Sequence, residues 1–252
     1  MAADSGPLLF ARYAYGPNSL GYCGPDAADE LFGAATSGAS TRGGDQGLRR
    51  LAEQFEGAYP YLQLIAQGSG IGDPLDRRVV EAYWLGSPLL ETVGPRALGD
   101  SLDVRFRRRL RDDGWRWLAD KPAAGALPVH AFHVLDVFPR LGLMRADGKA
   151  ERVLETIDAC RIRWGTVLER AGDDLVVAAV PVGMVDGKLR LAEPRVERIH
   201  GWRDGAGFVD DVAVGDCVSI HWDWACEKLT PARLAALQRW TVRELTIANQ
   251  TI

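Results

Sequence analysis

The chain has 252 residues, of which 47% are hydrophobic and 25% charged, with a net charge of -4. That length can bury one large core or two modest ones, and the charge balance excludes a general nucleic-acid binder, which carries a basic excess. No stretch approaches the ~20 apolar residues that span a bilayer, and the Met1–Pro7 opening lacks the basic-then-apolar order of a secretory leader. The sequence therefore predicts a cytoplasmic protein with no membrane partner.

Residues up to about Lys149 read mainly as helix. Asp26, after Gly24-Pro25, caps a helix over Ala27–Phe32, and Asp45 opens one carrying Leu48, Leu51 and Phe55 at helical spacing. Tyr59–Gln67 continues the pattern. Asp73-Pro74 starts a helix with Val79, Val80, Tyr83 and Trp84 on its face; Pro95–Leu110, Pro128–Phe138 and Glu151–Cys160 follow. The run Arg105–Arg111 is basic, but Asp112, Asp113 and Asp120 lie close behind it, which predicts a solvated, ion-paired face.

After Cys160 the period becomes strand-like. Ile162–Glu169 alternates, Leu175–Val180 is a continuous apolar run, and Asp186-Gly187 is a hairpin signal before Lys188–Leu191. Arg195–Trp202 alternates again, and Val218–His221 ends the series. Thr230-Pro231 places a cap and a first-turn proline at the start of a helix with Leu234, Leu237, Trp240 and Leu245. The fold class predicted is α+β: a mainly helical domain over residues 1–158, then a small OB-like β-barrel with a C-terminal helix over 159–252.

The four cysteines (Cys23, Cys160, Cys217, Cys226) form no CxxC pair and predict free thiols of a reducing compartment. Cys217 and Cys226 read as packed residues of the strand region. Cys23 stands just ahead of a helix start, where the dipole favours a thiolate; it is a candidate nucleophile or metal ligand, or packs beneath the Gly24-Pro25 turn. His130 and His133 sit at i, i+3 and share a helix face. They are half of a metal site, a His133–Asp136 pair, or satisfied core histidines.

Two blocks carry a resemblance. Cys160-Arg-Ile-Arg-Trp-Gly165-Thr-Val167 opens the first strand, and Gly215-Asp216-Cys217-Val218-Ser219-Ile220-His221 is a Gly-Asp turn and a strand ending in His. In order and spacing they are similar to the nickel–iron hydrogenase maturation chaperones of the HypC/HupF type, over the last 90 or so residues. The resemblance implies a non-enzymatic accessory protein that binds the hydrogenase large-subunit precursor or other maturation proteins. It also implies that Cys160, with His221, holds iron as a cyanide- and carbonyl-ligated unit. A thiolate and an imidazole suit such an iron. Alternation places His221 opposite Val218 and Ile220, off the core, while Arg161 and Arg163 stand beside the thiol, where they would lower its pKa. Unlike the family's terminal cysteine, Cys160 is internal. Two other readings stand beside this one: a cysteine-dependent enzyme with Cys23 or Cys160 as nucleophile and His133 as base, and a metal-free protein-interaction module.

Overall fold

A computed structural model describes residues 5–37, 42–141 and 150–251; the opening residues 1–4, read above for a leader, lie outside them. The chain begins with a helix that periodicity does not single out, α1 (Gly6–Ser19), capped by the Ser5 hydroxyl and buried on every side except at Arg12 and Ser19. A helix apolar all round has no amphipathic stripe to read. Around it pack α2 (Ala28–Thr36), α3 (Arg42–Glu53) and α5 (Arg77–Leu85), with α4 (Tyr59–Ser69) against α5, followed by α6 (Pro95–Phe106) and α7 (Asp112–Ala119). Two predicted starts move. Asp26 does not cap α2, whose cap position is Ala27, without a side-chain bond. Asp76 rather than Asp73 caps α5, accepting from the Arg78 amide at 2.9 Å; Asp73 instead holds the turn ahead of it, accepting from the Leu75 amide at 2.9 Å while paired with Arg49 at 2.7 Å. The basic run is partly paired as expected, with Arg107 reaching Asp112 at 3.3 Å.

The next helical stretch is irregular. A single turn, α8 (His130–Phe132), passes into a π-helical segment over His133–Val137 and a 3-10 turn to Leu141. π-Segments recur at functional sites, and this one contains His133 and the buried Asp136 and follows directly on the turn that carries His130. A regular helix, α9 (Ala150–Cys160), then leads directly into the strands.

β1 (Arg163–Ala171), β2 (Asp174–Ala179), β5 (Arg195–His200), β8 (Cys217–His221) and β9 (Trp224–Lys228) form one mixed sheet. β1 pairs with β2 and β8, β2 with β5, and β8 with β9. The sheet curls far enough for β5 to meet β9 in a single parallel pair, His200–Trp224. β3 (Val182–Val185) and β4 (Lys188–Leu191) make the predicted hairpin, with Asp186 and Gly187 at φ 51° and 72° as a type I′ turn requires. β6 (Trp202–Arg203) and β7 (Ala206–Gly207) form a further small ribbon. The closing helix α10 (Pro231–Ala248) is capped by the Thr230 hydroxyl as predicted.

Inside the curl, Val167, Leu175, Val177, Val218 and Ile220 form a small apolar cluster. The larger core does not stop at the 158/159 boundary. It joins α1, α4 and α5 to Ile162, Trp164, Trp224, Leu237 and Trp240. At its edge Arg233 of α10 bridges Glu81 of α5 and Glu227 of β9.

Candidate metal centre

His221 closes β8, and α1 fixes its ring. Pro17 has no amide hydrogen, so the Tyr13 carbonyl four residues earlier loses its helical partner. The His221 Nδ1–H supplies one at 2.5 Å. Tyr13 also fastens β8 and β9 through its hydroxyl, 2.9 Å from Ser219 Oγ and 3.2 Å from Glu227 Oε2. The close approach needs Gly16, where an added Cβ would lie 2.7 Å from the His221 carbonyl oxygen. With Nδ1 donating to a carbonyl, Nε2 holds the ring's free lone pair. That nitrogen is buried and makes no hydrogen bond of normal geometry, in a residue only 1% exposed, although the Cys160 carbonyl lies near enough to the ring to favour its protonated form.

Cys160 ends α9, where carbonyls lack intrahelical donors. The Ala159 carbonyl accepts from the Trp222 amide at 2.7 Å, and the Cys160 carbonyl accepts from His130 Nε2 at 2.8 Å. The helix end thus pins both histidine segments beside the sulfur. His130 Nδ1 then accepts from the Tyr83 hydroxyl at 3.2 Å. Trp222 takes φ 57°, a left-handed conformation that a bulky residue adopts only under constraint.

The side chains of His130, Cys160 and His221 converge: one ligand atom from each lies within 4.8 Å of the others. Bond lengths of 2.0–2.3 Å to a shared ion set donors ~3.5 Å apart, so a contraction of about an ångström would bring these three onto one metal. The unpartnered His221 lone pair fits this role, and its Nδ1–H bond to a backbone carbonyl is the usual orienting contact of a metal-bound imidazole. His130 has both ring nitrogens engaged and can ligate only by releasing Tyr83 or the Cys160 carbonyl. The rings of His130 and His221 lie 5.0 Å apart, and Trp84 packs on both.

These groups face a cavity of about 1050 Å³ that Cys23, His133 and Tyr83 also line. Burial pushes the His130 pKa down to about 4 and that of His221 well below its ordinary value, so both imidazoles are neutral. Burial raises the Cys160 thiol, with Cys23 nearby adding to the effect. The Trp222 indole N–H has no hydrogen bond of normal geometry, yet it is near enough to the sulfur to favour the ionised form, a smaller opposing influence.

Several expectations are corrected here. His221 lies off the inner cluster, as alternation predicts, but its face is buried under α1 rather than open. Arg161 and Arg163 do not activate the thiol: Arg161 is paired with Asp158 and Arg163 with Glu197, at 2.8 and 2.6 Å. No His133–Asp136 pair forms. His133 Nδ1 meets the Tyr61 hydroxyl at 3.3 Å, and Asp136 binds Lys121 at 2.9 Å. Cys23 belongs to an exposed turn, but its thiol is pushed up to about 12 by burial, opposite to the expected helix-terminus effect. The two observations agree if the sulfur turns inward from an exposed backbone, which its influence on Cys160 and Tyr83 supports. Burial raises both thiols and lowers His133 well below its ordinary value, and the His133 Nδ1 is engaged by the Tyr61 hydroxyl. Cys226 is buried and Cys217 half-buried in the strands, as expected.

Tyr13, Tyr83 and Trp222 carry no sequence signal of their role; only Pro17, at the end of the largely apolar run from Leu8, hints at a carbonyl needing an outside donor. Residues 2–252 match the model of a family of unknown function, DUF6390. No curated protein and no solved structure matches the chain.

Proposed function

The chain belongs to the DUF6390 family, and we propose that it is a metal-holding accessory protein whose cavity takes a transition-metal ion on Cys160, His221 and His130. The convergence of these three donors, with the His221 lone pair unpartnered, carries the reading. A thiolate with two neutral imidazoles suits iron, zinc and their neighbours, and disfavours magnesium or calcium. The resemblance of the last third narrows the cargo to iron, delivered during nickel–iron hydrogenase maturation with the large-subunit precursor as partner. On this reading the curled sheet and α10 are an OB-like barrel of the chaperone type, and the protein works in the cytoplasm.

The chain's own residues divide the work. His221 is held by Tyr13, and Cys160 is tethered on both sides through Ala159 and Arg161, whose amide binds the Ile157 carbonyl at 3.0 Å. A tethered cysteine cannot reach into a partner, so cargo leaves when the cavity opens. Trp84 and Tyr83 wall the cavity beside the donors. The thiol proton must leave as the sulfur binds, so uptake strengthens with pH.

Protein purified from a hydrogenase-expressing host tests this. The expected result is iron with cyanide and carbonyl stretches in the infrared, lost in Cys160→Ala and His221→Ala. Iron without those stretches retains the metal site and removes the hydrogenase cargo. Protein that binds no transition metal removes both.

A further inference from the structure

The three-donor reading leaves Cys23 and His133 of the cavity unused, and of these His133 already meets the Tyr61 hydroxyl. Cys23 sits on a turn that the fold builds with care. Asn18 Nδ2 donates to the carbonyls of Cys23 and Pro25, at 2.8 and 2.6 Å, and so clamps both sides of Gly24. Gly24 is at φ 79° and packs on the Phe55 ring, where an added Cβ would fall 2.4 Å from the ring carbons. The Tyr22 ring stacks on Trp222 with centroids 4.1 Å apart. That ties the turn to the residue next to His221. Cys23 lines the same cavity as the other three donors, although its sulfur is not among the atoms that converge within 4.8 Å, so the turn must carry it inward on binding.

Charge gives the turn a purpose. The groups deep in the cavity are three neutral imidazoles, the Tyr83 phenol and the Trp84 indole, with the positive Arg105 guanidinium close enough behind them to act on His133 and Tyr83, while Glu53, Glu56 and Arg109 are exposed on the rim. A bare divalent cation on the Cys160 thiolate alone would leave a net positive charge in that lining, and an uncompensated buried charge is strongly unfavourable. A second thiolate brings the site to neutrality. It also supplies the fourth donor of a Cys2His2 set, the arrangement that suits zinc-like divalent ions.

We propose that Cys23, carried on the Asn18-clamped turn, is the fourth protein ligand to a divalent metal held by His130, Cys160 and His221. This rests on the metal reading above. On binding, the Cys23 S–H bond breaks, its proton passes to solvent, and a sulfur–metal bond forms with no change of oxidation state. Because its turn is exposed, Cys23 is the donor that can leave first, which makes the turn the route of metal exchange.

Cobalt(II), titrated into the reduced, metal-free full-length protein, reads the outcome, since its sulfur-to-metal charge-transfer absorption scales with the number of thiolates. The wild type is expected to show a two-thiolate, tetrahedral spectrum. Cys23→Ser is expected to keep binding, with about half the charge-transfer intensity and affinity weakened roughly tenfold or more. A one-thiolate wild-type spectrum, unchanged in Cys23→Ser, overturns the Cys23 assignment and leaves the three-donor site standing. Cobalt without any sulfur charge transfer, or no binding, overturns both readings.

Discussion

Pro17 is the residue on which the site's geometry turns. It frees the Tyr13 carbonyl, which takes the His221 Nδ1–H and thereby directs Nε2 into the cavity. Restoring an amide hydrogen with Pro17→Ala lets the helix reclaim that carbonyl. The expected result is a melting temperature unchanged or slightly raised, because alanine suits a helix better, together with metal affinity lowered roughly 10-fold or more, as when an orienting contact is lost. Lowered stability with unchanged affinity would show that the contact is only structural. At this scale the donors were legible: Cys23, His130, Cys160 and His221 are the residue types that bind metal, and all four reach one cavity. What orients them was not, because a backbone carbonyl, a phenol and an indole leave no pattern in the sequence. Arg161 and Arg163 misled for a related reason. Their sequence neighbour is the thiol, but their spatial neighbours are Asp158 and Glu197.

Among the elements, those with a clean period or a cap were readable: α4, α9 and the Asp186-Gly187 hairpin lie close to where alternation and turn chemistry put them. α1 was missed because it is buried on nearly all sides, and β9 because the tight Trp222-Asp223 turn separates it from β8 without glycine or proline. α10 carries a testable strain of another kind. Glu244 is fully buried and neither carboxylate oxygen makes a hydrogen bond of normal geometry; burial, with the Asp136 charge adding and Arg243, the Leu127 amide and Lys121 opposing, raises its pKa to about 8. The folded chain therefore keeps this proton up to about pH 8, whereas the unfolded chain loses it near the ordinary value of 4.5. The unfolded state binds fewer protons across that window, so stability falls as pH rises through it and is fully retained below it. Glu244→Gln is expected to flatten this dependence and to raise stability above pH 8 by of order 1–3 kcal/mol. Chemical denaturation at a series of pH values checks it; an unchanged slope would mean that Glu244 is charged or solvated.

At the scale of the whole molecule, the core that joins α1, α4 and α5 to Trp164, Trp224 and Trp240 couples the helical region to the strands. Calorimetry is expected to show one cooperative transition, and residues 159–252 expressed alone are expected to expose those tryptophans and to aggregate or remain unfolded. Two separate transitions, or a folded fragment, would contradict this. The change of period near residue 160 marked where secondary structure changes, but no local pattern reports that helices on one side cover strands on the other. The proposed metal site belongs to this scale too, because its candidate donors are brought together from α8, α9, β8 and the turn after α1. An ion that binds only the folded chain at 100 times its Kd adds about 2.7 kcal/mol of stability.

X-ray absorption of the metal-loaded protein tests the shared site most directly. Both sulfur and imidazole scattering around a single ion are predicted, with the sulfur contribution reduced in Cys160→Ala and the imidazole contribution reduced in His221→Ala. A coordination shell of oxygen alone, or one that neither substitution alters, would contradict it.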